Sequence, residues 1–71
     1  MIILDKNKIK IGKALKKYRI MKGYTQEEVS EVTGLAPRYI SQIERGFSSG
    51  SISTLIKLCD AYGITPNHVL Y

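Results

Sequence analysis

The feature that most constrains the fold is TQEEVSEVTGLAPRYISQIERG, residues 25–46, where two short helical patterns meet at a glycine. The first pattern begins at Thr25 and has Glu28 three positions later, which is a capping-box signature for a helix start. Gly34 ends this helix, and Pro37 stands where the first residue of the next helix belongs. Two helices that cross at about 90–120° need such a short turn, often with a glycine. The stretch therefore predicts two tightly joined helices.

Apolar residues recur at helical spacing elsewhere in the chain, and glycine or proline separates the segments. The predicted helices are residues 7–22, 25–33, 36–45, 51–62 and a last turn at 65–71. Residues 2–4 alone suit a short strand. These patterns predict an all-α, compact five-helix bundle that occupies residues 1–71 as one domain. The inward positions are Ile11, Ala14, Leu15, Tyr18, Val29, Val32, Leu35, Ile40, Ile43, Ile52, Leu55, Leu58, Cys59, Tyr62, Val69 and Leu70.

The composition narrows the classes of function. The chain has 71 residues, a formal net charge of +5, one cysteine and one histidine. We therefore expect neither an intramolecular disulfide nor a metal site, and no cofactor. No apolar run approaches the roughly 20 residues of a membrane span, so a cytoplasmic location is expected. No acid–base pair, activated nucleophile or phosphate loop suggests an enzyme. The positive charge weakly favours a polyanionic partner.

The outward face of the helix at 36–45 is polar. Ile40 and Ile43 point inward, which leaves Pro37, Arg38, Ser41, Gln42 and Arg45 outside. Spacings of three and four place the last four of these on one ridge. Arginine pairs with guanine and glutamine with adenine through two hydrogen bonds in the major groove of DNA. The ridge is typical of a DNA-reading helix, although a merely solvated face is the alternative.

Together, GKALKKYR, TQEEVSEVTGLAPRYISQIERG and STLIKLCDAYGITPNHVL resemble the Cro/phage-repressor helix-turn-helix, the XRE family, over roughly residues 9–70. The resemblance implies a lambda-repressor-like fold in which helices 2 and 3 form the helix-turn-helix. It also implies binding to operator DNA, usually as a symmetric dimer. By position, Pro37, Arg38 and Gln42 match base-reading residues, and Ser41 shares their ridge. Arg19 and Glu44 match a buried structural ion pair.

Contacts to DNA phosphates are expected around this helix. By resemblance Gln26 and Arg45 match phosphate-contacting positions, although Gln26 also suits an ordinary helix start. Tyr39 is either a packing residue or a phosphate contact. The segment FSSGS has no basic residue, so a phosphate contact there must come from backbone amides, Ser51, Ser53 or the start of the next helix. The full set of phosphate candidates is Thr25, Gln26, Tyr39, Arg45, Ser51, Ser53 and Lys57.

The sequence thus predicts sequence-specific binding of double-stranded DNA by a transcriptional repressor or regulator. A homodimer on a pseudo-palindromic operator is expected, because the apolar ends MIIL and VLY have no evident need for exposure. The extension at residues 1–6 is a candidate for its interface. No small-molecule effector site is evident. The alternative is a protein-interaction module, such as an antitoxin or anti-repressor, since a fold does not fix function. A membrane-surface role for residues 6–22 is disfavoured, because the core needs their apolar stripe.

Overall fold

The computed structural model describes residues 6–48 and 50–70. In these ranges the chain forms five α-helices and no strand. They are α1 (Lys6–Met21), α2 (Gln26–Thr33), α3 (Pro37–Glu44), α4 (Ile52–Tyr62) and α5 (Asn67–Leu70). The predicted all-α, five-helix fold is confirmed. The N-terminal extension apart from Lys6, and with it the possible strand at residues 2–4, lies outside the described residues.

The α2–α3 junction owes its shape to local capping groups. The Glu28 N–H donates to Thr25 Oγ1 over 3.1 Å, and the Thr25 N–H donates to Glu28 Oε1 over 2.9 Å. At the other end Gly34 adopts a φ of 78°, and its N–H donates to the Ser30 carbonyl oxygen over 2.8 Å. Residues with a Cβ rarely adopt that φ. Pro37 then opens α3, so α3 leaves the turn in a fixed direction.

The core draws buried side chains from all five helices. The fully buried apolar residues are Leu15, Val29, Ile40, Ile43, Leu58, Cys59, Tyr62 and Val69. Each was predicted to point inward, and the joint residue Leu35 packs against them. Burial raises the pKa of the Cys59 thiol, as expected of a core residue. α3 is therefore seated on the centre of the bundle.

Three predicted core positions are wrong. Val32 is 63% exposed, Ile52 is 79% exposed and Leu70 is 39% exposed. In the four-residue α5 the buried position is taken by Val69, which leaves the neighbouring Leu70 at the surface. In α2 the inward arc runs through Val29 and the half-buried Thr33, which leaves Val32 at its edge. Ile52 is the first residue of α4, and the first buried side chain of this helix is Thr54. The Ile52 side chain therefore lies beyond the edge of the core.

α1 lies directly against the carboxyl end of α3. A methyl group added to Gly12 would overlap the Ile43 carbonyl oxygen and lie 3.0 Å from the Glu44 carbonyl oxygen. One added to Gly46 would lie 2.9 Å from the Ile9 Cγ1 atom. The absence of side chains at these two glycines sets how closely α1 and α3 approach. Sequence reasoning assigned no role to Gly12.

Candidate nucleic-acid interface

The inner side of α3 is held by an ion pair as well as by apolar packing. Arg19 on α1 donates from Nε to Glu44 Oε2 over 2.6 Å and from Nη2 to Glu44 Oε1 over 3.1 Å. The side chains are 12% and 4% exposed, respectively. The hydrogen bond to Glu44 raises the pKa of Arg19, so the guanidinium stays charged. The structure thus places the expected pair in direct contact.

Two further groups join this ion pair into a network. Gln26 Nε2 donates to Glu44 Oε1 over 3.0 Å, and Arg19 Nη1 donates to the Tyr24 carbonyl oxygen over 2.8 Å. The Glu44 carboxylate therefore links the start of α2 and the end of α1 to the end of α3. Gln26, expected at a phosphate, has an intramolecular partner for one of its two amide hydrogens.

The outer side of α3 presents the predicted ridge. Pro37 and Arg38 are exposed, while Ser41 and Gln42 are half-buried. Among the described residues, the side chains of Arg38, Ser41 and Gln42 form no hydrogen bond with the rest of the chain. Their donors and acceptors are therefore available to a ligand, and the buried Ile40 and Ile43 hold the helix beneath them.

Tyr39 connects α3 to the segment that precedes α4. It is half-buried, and a methyl group added to Gly50 would lie 2.9 Å from its hydroxyl oxygen. Beyond this contact, Ser51 Oγ accepts the Thr54 N–H over 3.1 Å and caps α4. Tyr39 thus packs beside the positive end of the α4 helix dipole, where an anion is favoured.

The remaining phosphate candidates differ in how free their side chains are. Thr25 and Ser51 serve as helix caps, so their oxygens are already acceptors within the chain. The Thr25 hydroxyl retains its own hydrogen, whereas the Ser51 hydroxyl shares a second hydrogen bond, of 3.0 Å, with Thr54 Oγ1. Ser53 and Lys57 are exposed on α4. Arg45 is also exposed, and its Cζ atom lies 4.8 Å from the centroid of the Phe47 ring.

Phe47 was missed by sequence reasoning, which treated FSSGS only as a loop without positive charge. It is 54% exposed, although large aromatic side chains usually contribute to a core. The available signal was an aromatic residue two positions after an arginine and outside every helical stripe. The structure brings the two side chains together.

The described residues contain neither a metal-binding cluster nor a membrane-spanning helix. No group of three or more His, Cys, Asp or Glu side chains within residues 6–48 and 50–70 is arranged to hold a metal ion. None of the helices described here combines the length and apolar character needed to cross a membrane.

The helix-turn-helix family profile matches residues 15–69, more than three-quarters of the chain. The chain belongs to the helix-turn-helix family. This helix-turn-helix protein is 36% identical over 62 residues to the uncharacterized HTH-type transcriptional regulator y4dJ of Sinorhizobium fredii. That match covers 87% of this chain and 79% of y4dJ.

A second helix-turn-helix relative is the HTH-type transcriptional regulator ImmR of Bacillus subtilis, 33% identical over 60 residues. That match covers 84% of this chain but 47% of ImmR, so the chain spans about half of that relative. Among solved structures, SinR, a master regulator for biofilm formation, was crystallised in complex with DNA. Its TM-score is 0.80 at 35% identity, covering 86% of this chain and 98% of that one.

Proposed function

We propose that this chain binds operator DNA sequence-specifically, with α3 in the major groove, and represses or otherwise regulates transcription. That it is a DNA-binding transcriptional regulator follows from its family and from its regulator relatives. The observation that supports the role of α3 is its two-sidedness. Ile40, Ile43 and Glu44 anchor one side, while the Arg38 and Gln42 side chains on the other form no hydrogen bond within residues 6–48 and 50–70.

Base reading is assigned to the ridge at the start and middle of α3. The Arg38 guanidinium suits guanine O6 and N7, and the Gln42 amide suits adenine N6 and N7. Ser41 supplies a hydroxyl that accepts or donates. Pro37 offers only an apolar ring, which suits a thymine methyl group. Each well-formed bidentate contact contributes about 1–3 kcal/mol of discrimination.

Phosphate contacts are assigned to groups on both sides of α3. On the α2 side the second amide hydrogen of Gln26 is available, because Glu44 occupies the first. On the α4 side lie Tyr39 and the amide end of α4. Arg45 supplies a full positive charge at the end of α3. Further candidates are Thr25, Ser51, Ser53 and Lys57.

The proposal includes a homodimer on a pseudo-palindrome, with its two α3 helices about 34 Å apart along one face of the duplex. Exposed apolar side chains, including Ile52, Ile56 and Leu70, are consistent with a surface that a second copy covers. A cytoplasmic location belongs to the same proposal, and catalysis forms no part of it.

Selection of bound duplexes from a random pool tests this proposal, because it yields the half-site and its spacing. Titrations of the selected and a scrambled duplex then compare variants. Arg38→Ala should lose preference at one base pair, by a factor of about 5–150. Arg45→Ala should weaken binding to both duplexes alike and reduce the salt slope by about 1. Lys16→Ala, which removes an exposed charge from α1, should keep the operator preference.

Unchanged operator preference in Arg38→Ala would remove the reading role of α3. Wild-type affinity that stayed constant as salt increased would contradict the proposed mode of DNA binding, because phosphate contacts release counterions. A monomer on the selected duplex, seen in sedimentation at micromolar concentration, would remove the dimer.

A further inference from the structure

The end of α3 fixes the backbone of Phe47 relative to the helix. The Gly46 N–H donates to the Ile43 carbonyl oxygen over 3.1 Å, and the Phe47 N–H donates to the Gln42 carbonyl oxygen over 2.9 Å. With Gly46 at a φ of 81°, these two bonds form a Schellman motif. Arg45 is the C-cap of α3, and Phe47 is the second residue beyond it. The side chains of Arg45 and Phe47 are therefore both attached to a backbone turn that these hydrogen bonds hold in place.

The Phe47 ring lies against Arg45 and remains largely in solvent. The Arg45 Cζ atom is 4.8 Å from the ring centroid, within the range of a cation–π contact. Arg45 forms no hydrogen bond or ion pair with another described side chain. An exposed arginine without partners samples many rotamers, and this contact selects among them.

We propose that Phe47 is a positioning residue that holds the Arg45 guanidinium ready for a DNA phosphate. This inference depends on the proposed function, in which Arg45 contacts the DNA backbone. A guanidinium over an aromatic face keeps the N–H groups at its edge free to donate. Positioning of Arg45 matters here because the following segment, residues 46–56, contains no lysine or arginine. Arg45 must then supply the positive charge at this end of α3.

The expected effect follows from the strength of the contact. An exposed cation–π contact corresponds to roughly two- to fivefold in an equilibrium constant. Phe47→Leu, which keeps an apolar side chain but removes the ring, should weaken binding by that factor. The loss should be equal for the selected operator and for a scrambled duplex, because a phosphate contact carries no sequence information. The salt slope should stay at the wild-type value, since the charge of Arg45 is retained.

A double-mutant cycle in the full chain separates positioning from other roles. The variants are Phe47→Leu, Arg45→Ala and the double substitution, each titrated with both duplexes at several salt concentrations. In the Arg45→Ala background, Phe47→Leu should have no further effect on affinity. Phe47→Tyr, which keeps the ring, should bind within twofold of wild type. NMR of the Arg45 Hε proton reports the contact itself, and its ring-current shift should vanish in Phe47→Leu.

Each other outcome overturns the inference. Equal weakening by Phe47→Leu in both backgrounds would mean that the ring contacts DNA directly. No weakening in the wild-type background would mean that Arg45 needs no support. A lower urea midpoint for Phe47→Leu together with loss of helical signal would point to a folding role. If the wild-type chain bound both duplexes without any salt dependence, the proposed mode of DNA binding would be wrong, and the positioning role of Phe47 would be wrong with it.

Discussion

Replacing Glu44 by leucine should destabilise the fold more than any change on the outer ridge. The substitution removes three hydrogen bonds to one carboxylate: two from Arg19 and one from Gln26. It also leaves a guanidinium that is 12% exposed without its counter-ion. Breaking a buried pair from one side costs about 3–5 kcal/mol. A 71-residue domain has a total stability of only about 4–11 kcal/mol.

The double variant Arg19→Met with Glu44→Leu gives the sharper result. Without either charge, no ion remains buried alone, so most of the lost stability should return. Gln26 and the Tyr24 carbonyl still lose their partners, which keeps the double variant about 1–3 kcal/mol below wild type. Urea unfolding at pH 7, followed by circular dichroism, measures the free energies of unfolding of wild type, Arg19→Met, Glu44→Leu and the double variant. Glu31→Gln, at an exposed position on α2, is the control and should change stability by less than about 0.5 kcal/mol.

Two results would refute this reasoning. One is a Glu44→Leu variant that unfolds within about 1 kcal/mol of wild type, well below the cost of breaking a buried pair. The other is a double variant whose loss equals the sum of the two single losses, because additivity would mean that the residues act independently.

Two further predictions concern buried positions. Gly12→Ala should lower the free energy of unfolding by about 1–3 kcal/mol and weaken operator binding, because the added methyl group would overlap the α3 backbone. This overpacking outweighs the gain of about 1 kcal/mol that alanine brings in helix propensity. A more stable variant in urea unfolding would contradict it. Tyr62→Phe should gain about 1 kcal/mol, since the buried Tyr62 hydroxyl has no hydrogen-bond partner among the described residues. Burial raises the pKa of Tyr62 above its ordinary 10.0, so wild type should lose an additional part of its stability as pH rises through that value. Tyr62→Phe lacks this loss, so the difference between the two proteins should widen. A constant difference between pH 7 and pH 10.5 would refute this.

The sequence predicts features that depend on local chemistry. Thr25 with Glu28, Gly34 and Pro37 define the ends of α2 and α3 without reference to the rest of the chain. In the same way, residues in the middle of a stripe, such as Leu58, were predicted correctly to be buried. The ridge on α3 follows from these local features, because the inward isoleucines determine which side chains face out.

Features that depend on neighbouring helices were not predicted from the pattern. Val32 and Ile52 have the hydrophobicity of core residues, but periodicity does not reveal where a packing partner ends. The need for glycine at position 12 could not be predicted, because it arises only from the α3 carbonyl groups that pack against it. The Arg19–Glu44 pairing spans 25 residues and came from the family resemblance alone, and nothing in the sequence indicated that Gln26 would join it.

Stability and recognition are divided between the two sides of α3, and this division can be tested. Glu44 and the isoleucines fix where the helix sits, so their loss should lower stability and operator affinity together. The Arg38 and Gln42 side chains form no hydrogen bond with other described residues, so their loss should change which base pairs are preferred with little change in urea unfolding. Gln26 belongs to both groups, because one amide hydrogen bonds Glu44 and the other is available to DNA. A change at Gln26 should therefore affect stability and affinity at once, whereas a change at Arg38 should not.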